Sequence, residues 1–343
     1  MFKQTGTHQA EALNGQGPTT SDSEPLPLEP REFQAQVEAI HDAVSSVIVG
    51  KAEVISTCLV GLLAEGHLLL EDVPGMGKTT LAKALARTLG IVYKRIQFTP
   101  DLLPSDLTGT VIFDQHDNRF HFREGPVFAN VVLADEINRA TPKTQSALLE
   151  CMEERQVTID LRTHALPEPF FVIATQNPAE YEGVYPLPES QLDRFAMRLS
   201  IGYPTAEAEK MLLKQQKIAH PLESLQPVSD AEHLKLLQSH VRRIGISDAV
   251  YDYILRLADA TRRHRDIALG LSPRGSLSLS RTAQALAAMR GRDFVLPDDV
   301  KAVAPVVMSH RLLPHPEARL SSAVADRVVE EVLSSVPIEL KAK

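Results

Sequence analysis

A chain of 343 residues, 43% hydrophobic and 23% charged, can bury a sizeable core and divide into two domains. Its formal net charge of −8 argues against a general nucleic-acid binder, which would carry a basic surplus. Two cysteines, Cys58 and Cys151, form neither a disulfide framework nor a zinc spacing and read as buried core thiols. Residues 1–32 are rich in Gly, Pro, Ser, Thr, Gln and Glu, too polar to offset the entropy of ordering, and are expected to form a disordered tail. The start of the chain lacks a basic region followed by an apolar run. The longest apolar stretch, Val54 to Leu63, is too short to span a bilayer, so a cytoplasmic protein without membrane insertion is expected.

From Phe33 to Gly90 the pattern predicts helix, helix, strand, loop, helix. The strand is "HLLLED", and "KTTLAKALARTLG" follows with helical spacing and a glycine stop. Further strands are expected at "VYKRIQF", "FANVVLADE", "FFVIATQNP" and "FAMRLSIGYP", with helical stretches such as "TPKTQSALLECMEERQV" between them. Strands alternating with helices predict an α/β core over 33–205, a parallel five-stranded sheet with helices on both faces. "GTVIFDQHDNRFHFREGP" reads as a hairpin at about 108–124: Val111 and Phe113 alternate, "QHDN" turns, then Phe120 and Phe122 alternate. Beyond Tyr203-Pro204 the pattern is helical throughout, several segments opening on Ser, Thr or Pro-Asp caps, so 206–343 is expected to be a separate all-helical domain.

The stretch Pro74-Gly75-Met76-Gly77-Lys78-Thr79-Thr80, between a strand and a helix, has the pattern of a phosphate loop. Such a loop aims several backbone N–H groups at one point, and the helix dipole adds positive potential there. Lys78 can reach the outer phosphates and Thr79 can bind Mg²⁺. The formula wants glycine five residues before Gly77, and Asp72 stands there instead. "VVLADE" places Asp135 and Glu136 at the carboxyl end of a strand, where open α/β sheets bind ligands. Asp135 is suited to hold Mg²⁺ through water, and Glu136 to activate a water as general base. Asn177 ends another buried strand, where an amide can orient water or a γ-phosphate, or simply open an Asn-Pro turn. Arg194 in "LPESQLDRF" is either a surface arginine or an arginine finger for a neighbour's nucleotide. Arg274, in "LSPRG", lies near a helix N-terminus, where a cation is unfavourable unless an anion is close. The "HRD" at His264–Asp266 lacks the companion motifs of a kinase, and the histidines show no metal spacing, so no metal beyond Mg²⁺ is expected.

In this order the motifs resemble the AAA+ ATPases, and most closely the MoxR family. The sharpest pieces are "LLLEDVPGMGKTTLA", "FREGPVFANVVLADEINRATPKTQSALLECMEERQVTI", "FVIATQNPAEYEGVYPLPESQLDRF" and "SPRG". Asp72 is usual in that family. The resemblance implies an AAA+ P-loop core with a C-terminal all-helical lid, ATP and Mg²⁺ as cofactors, and hydrolysis of ATP. It also implies Asn177 as sensor 1, Arg194 as arginine finger, Arg274 as sensor 2, and Val49-Gly50 as the adenine-facing edge. The hairpin resembles the insert that the chelatase and MoxR branch places within its second helix, often facing a central pore.

Members of the family form homo-oligomeric rings, commonly hexamers, and resemble chaperones that remodel or activate partner proteins. Those partners often carry a von Willebrand factor A domain, and some members help insert metals or assemble enzyme complexes. Two other classes stand beside this one. A ring motor acting on DNA is disfavoured by the negative net charge and by an insert whose basic residues are Arg119, Arg123 and two histidines, so a nucleic-acid partner is not expected. A nucleotide-dependent assembly switch with little turnover is disfavoured by the presence of Glu136, Asn177 and Arg194 together.

Overall fold

The computed structural model describes residues 28–178, 183–215, 221–318 and 323–338. Most of the stretch expected to be a tail, residues 1–27, lies outside them. Its last residues do not belong to a tail: helix α1 (Pro30–Ser45) opens at Pro30, whose fixed φ suits the first helical turn, and Phe33, Val37, Ile40 and Val44 bury one face. Helix α2 (Ala52–Leu63), strand β1 (Leu68–Glu71) and helix α3 (Lys78–Thr88) follow, then β2 (Tyr93–Gln97) and the short α4 (Pro104–Thr108). The expected hairpin is β3 (Gly109–Asp114) with β4 (Arg119–Glu124), paired Phe113 to Phe120 and Val111 to Phe122.

Strand β5 (Val131–Asp135) leads to α5 (Pro142–Glu154) and to a hairpin that the sequence pattern did not suggest, β6 (Gln156–Ile159) with β7 (Arg162–Ala165). Its turn carries Asp160 and Leu161 at φ +46 and +67, without the glycine that marks most such turns. Strand β8 (Phe171–Gln176), α6 (Glu189–Leu192) and β9 (Met197–Leu199) complete the core. The helical remainder is α7 (Ala206–Gln215), α8 (Pro221–Ser224), α9 (Ala231–Arg242), α10 (Asp248–Arg262), α11 (Pro273–Met289), α12 (Pro297–Met308) and α13 (Val324–Ser335). Among the described residues it also holds a short antiparallel pairing of β10 (Ile267–Leu269) with β11 (Leu313–Pro314) and an isolated bridge between Gly245 and Phe294.

The five-stranded sheet has the order β2-β5-β8-β1-β9 and every pairing in it is parallel. Side chains alternate across it as strand geometry requires. Leu68, Leu70, Leu133 and Ile173 face a core shared with α1, α2 and α3, while Leu69, Val132, Ala134, Val172 and Ala174 face a second core under α4 and α5. Each fully buried leucine or valine contributes about 1.5–3 kcal/mol. The first core runs on without a break into α9–α13, so the C-terminal helices pack against α1 and α2. Both cysteines are buried, and burial pushes each thiol up to about 12, which leaves them as packing groups. Among the described residues no helix is long and apolar enough to cross a membrane.

Candidate active site

The carboxyl ends of β1, β5 and β8 converge on one cleft lined by Pro74, Gly75, Gly77, Lys78, Thr79, Thr80, Asp135, Glu136 and Asn177. Gly75 and Gly77 take φ +88 and +85, and open space lies where a Cβ would project from either. A side chain there would be strained and would fill the hollow, so the loop is shaped to cradle a compact ligand on backbone N–H groups. The buried Lys78 ammonium donates to the Asp72 carbonyl at 2.6 Å and the Val73 carbonyl at 3.4 Å, which holds it over the loop.

Asp135 is buried, accepting from Thr175 Oγ1 at 2.7 Å and from Arg95 at 2.6 and 3.0 Å. Glu136 takes a left-handed backbone conformation, φ +57, with its N–H donating to Thr175 Oγ1 at 2.8 Å. This kink ends the strand and turns the carboxylate back into the cleft, where Gln97 Nε2 donates to it at 2.8 Å. A non-glycine residue in that region costs about 1–2 kcal/mol, and it persists where surrounding bonds over-determine it. Hydroxyl and carboxylate oxygens facing a cationic, glycine-lined hollow are a donor set that fits Mg²⁺ and a triphosphate. Arg95 and Gln97, on the neighbouring β2, were not foreseen. They enter because Gln97 pairs in register with Asp135 across the sheet.

A second, more apolar pocket adjoins the first and shares Gly75, Gly77 and Thr80 with it. Val49 and Met76 line it, joined by Val47, Ile48, Ile201, Pro204, Leu212 and Pro221. Gly50 turns the chain at φ +73, and a Cβ on it would sit 2.7 Å from Ala208 Cβ. An apolar pocket beside a glycine-lined anion cradle suits a nucleotide base. Asp72, the departure from the loop formula, braces this pocket through residues that line it. Its carboxylate accepts from Ile201 N at 2.6 Å, Ser200 Oγ at 2.8 Å and Gly202 N at 3.1 Å, tying the start of the loop to the pocket floor. Lys51 supports the same floor by donating to the carbonyls of Ile201 and Tyr203.

Two of the expected residues are not brought to this cleft. Arg194 and Arg274 meet on Glu153 of α5, in a separate cleft between the sheet domain and α11. Arg194 Nη2 lies 3.1 Å from one Glu153 oxygen and Nη1 donates to the Leu149 carbonyl at 2.8 Å. Arg274 Nη2 donates to the other Glu153 oxygen. Arg274 therefore has its anion near the N-terminus of α11, but that anion is Glu153 of its own chain.

A parallel 2-5-8-1-9 sheet, a glycine cradle between β1 and α3 and an acidic pair at the end of β5, with β8 between these two strands, define a P-loop nucleotide-binding protein of the AAA class. The family described as "ATPase family associated with various cellular activities (AAA)" matches residues 67–197, and the AAA lid domain matches 259–332. The chain is 43% identical to the chaperone MoxR1 of Mycobacterium tuberculosis, over 86% of this chain and 80% of that one. It is 49% identical to the uncharacterised YeaC of Bacillus subtilis, over 87% of this chain and 93% of that one. A crystal structure from Cytophaga hutchinsonii, assigned as an ATPase, superposes with a TM-score of 0.85 at 39% identity, covering 91% of this chain and 97% of that one. The chain belongs to the MoxR family of AAA+ ATPases.

Proposed function

We propose that this chain hydrolyses ATP in a homo-oligomeric ring, a hexamer, and uses the cycle to remodel or activate a separate protein carrying a von Willebrand factor A domain, as a maturation chaperone. In this reading the apolar pocket holds adenine and the glycine loop and Lys78 hold the phosphates. Thr79 and Asp135 hold Mg²⁺, which when bound neutralises charge on the outer phosphates. Glu136 takes a proton from the attacking water and Asn177 orients that water. Arg194 and Arg274 belong to the edge that a neighbouring subunit's nucleotide would meet.

The observation that carries the ring is the separation just described. Every other expected group except Gly50, the chain neighbour of Val49, lines the P-loop cleft or its apolar neighbour, whereas both arginines face a different cleft, so a site that uses them draws on two chains. The chaperone reading is supported by family membership and by MoxR1's designation as a chaperone. The exposed Phe113–Phe120 pair on the first hairpin, with ring centroids 5.1 Å apart, offers an apolar surface for a protein partner.

ATP can act on a partner only if the ring's affinity for it differs between nucleotide states. The experiment is capture from cells of the source organism with the Glu136→Gln variant, loaded with ATP or with ADP. Enrichment of a protein with a von Willebrand factor A domain in the ATP state is expected. Recovery of DNA, or of no protein above the ADP control, would contradict the chaperone reading.

A further inference from the structure

Arg311 follows α12, and its guanidinium is 1% exposed. A buried arginine needs its donors satisfied by well-placed oxygens, and here they are. Nε donates to Asp193 Oδ1 at 2.8 Å, and Nη2 to the Phe195 carbonyl at 2.6 Å, to Ser278 Oγ at 3.1 Å and to the Asp193 carbonyl at 3.3 Å. Nη1 donates to the Ala196 carbonyl at 3.0 Å and to the Val307 carbonyl. Three of these oxygens belong to backbone carbonyls of 193, 195 and 196, the residues that flank Arg194 on both sides.

Asp193 has a further partner. Ser272 Oγ lies 3.0 and 2.9 Å from its two oxygens, and the same hydroxyl accepts from Gly275 N at 3.0 Å, capping the helix that carries Arg274. One guanidinium therefore grips the backbone around Arg194, and through Asp193 and Ser272 it reaches the first turn of α11. Glu153 then joins the two arginine heads.

We propose that Arg311 is a positioning residue for ATP hydrolysis, which through Asp193 and Ser272 sets Arg194 and Arg274 at a fixed spacing for a neighbour's phosphates. The proposal rests on the reading that these arginines act across a subunit interface. Arg311 touches no nucleotide pocket, so its effect falls on the adjacent subunit's turnover and leaves its own subunit's binding alone. A lysine in its place is a point charge with three donors and cannot hold the fork of contacts.

The test uses full-length Arg311→Lys. Affinity of its own P-loop for a fluorescent ATP analogue should stay within about twofold of the parent, while kcat of the assembly falls about tenfold or more, the scale of ångström-level misplacement. Mixing with Lys78→Ala subunits, whose arginine edge is intact, should restore turnover. Parent-level kcat, loss of ATP binding, or failure of this mixture where Arg194→Ala with Lys78→Ala is rescued would each overturn the proposal. Failure of that last control would instead remove the interface reading, and the proposal with it. If Arg311→Lys does not fold, Ser272→Ala deletes a single hydroxyl of the relay and should lower kcat about threefold at unchanged ATP affinity. An unchanged kcat there would be equally fatal.

Discussion

Replacing Asp72 with glycine restores the P-loop formula and should nevertheless weaken the protein. Asp72 is 7% exposed, and its carboxylate accepts three hydrogen bonds, from Ser200 Oγ and from the backbone N–H groups of Ile201 and Gly202. Bonds to an ionised acceptor contribute about 1.5–3 kcal/mol each and are not additive, and the two backbone donors would be left without this partner. Glycine also enlarges the unfolded ensemble by roughly 0.5–1 kcal/mol. A net loss of about 3 kcal/mol follows from these terms, equivalent to roughly 6–12 °C in Tm for a unit of this size. Because Ile201 and Gly202 line the apolar pocket, ATP affinity should fall about tenfold, or 1.4 kcal/mol. Asp72→Asn keeps one acceptor oxygen and should retain an intermediate share of both. Scanning calorimetry and titration with ATP read the two effects. A Tm within about 2 °C of the parent together with unchanged affinity would refute the view that Asp72 ties the loop to the pocket floor.

Glu136→Gln keeps the shape of the side chain but cannot take a proton, so ATP should bind and persist while phosphate release falls roughly 10²-fold or more; turnover at the parent rate would show that Glu136 is not the base. His67 is buried, accepts from Val172 N and faces the Met152 carbonyl, and burial lowers its pKa to about 4. The unfolded chain therefore binds this proton first as pH falls: the stability is fully present above about pH 6.5 and declines by about 1.4 kcal/mol per pH unit toward pH 4. His67→Gln should flatten the pH dependence of the urea midpoint between pH 7 and 5 by about one proton, and an identical slope would contradict the assignment. Asp299 has no exposed surface and pairs with Arg290 at 2.8 Å and Arg292 at 2.6 Å, so Asp299→Ala should cost roughly 3–5 kcal/mol in denaturant unfolding; a loss under about 1 kcal/mol would mean the pair is dispensable.

What was legible in the sequence was local. The glycine loop, the acidic pair and Asn177 each sit where a buried strand stops, and an apolar run followed by polar residues records that in a few letters. The five strands of the sheet and the first hairpin were readable for the same reason. Of the apolar pocket only Val49 and Met76 were, because Ile201 and Leu212 reach it from a loop and a helix far along the chain, and the fold brings them together, not spacing. Arg95 and Gln97 look like exposed polar residues on a strand until the register of β2 against β5 sets them beside the acidic pair. Arg311 gave no signal at all, since one arginine after a helix is ordinarily solvated, and only the fold shows that it is enclosed. Helix α13 did leave a trace in the spacing of Val324, Val328, Val329 and Val332, which fits a helical face.

The central claim is that a complete hydrolytic site draws on two chains: the P-loop and acidic pair of one and Arg194 of the next. Lys78→Ala deletes the loop's cation, and Arg194→Ala deletes the proposed finger, whose expected contribution to rate is on the order of 10³ or more by comparison with other arginine fingers. Each variant alone should be inactive. In mixed assemblies about a quarter of head-to-tail interfaces would set an intact Arg194 against an intact P-loop. The decisive measurement is phosphate release from an equimolar mixture under conditions where subunits exchange. A return of a substantial fraction of parent activity is predicted, and no activity above that of the separate variants would contradict the account.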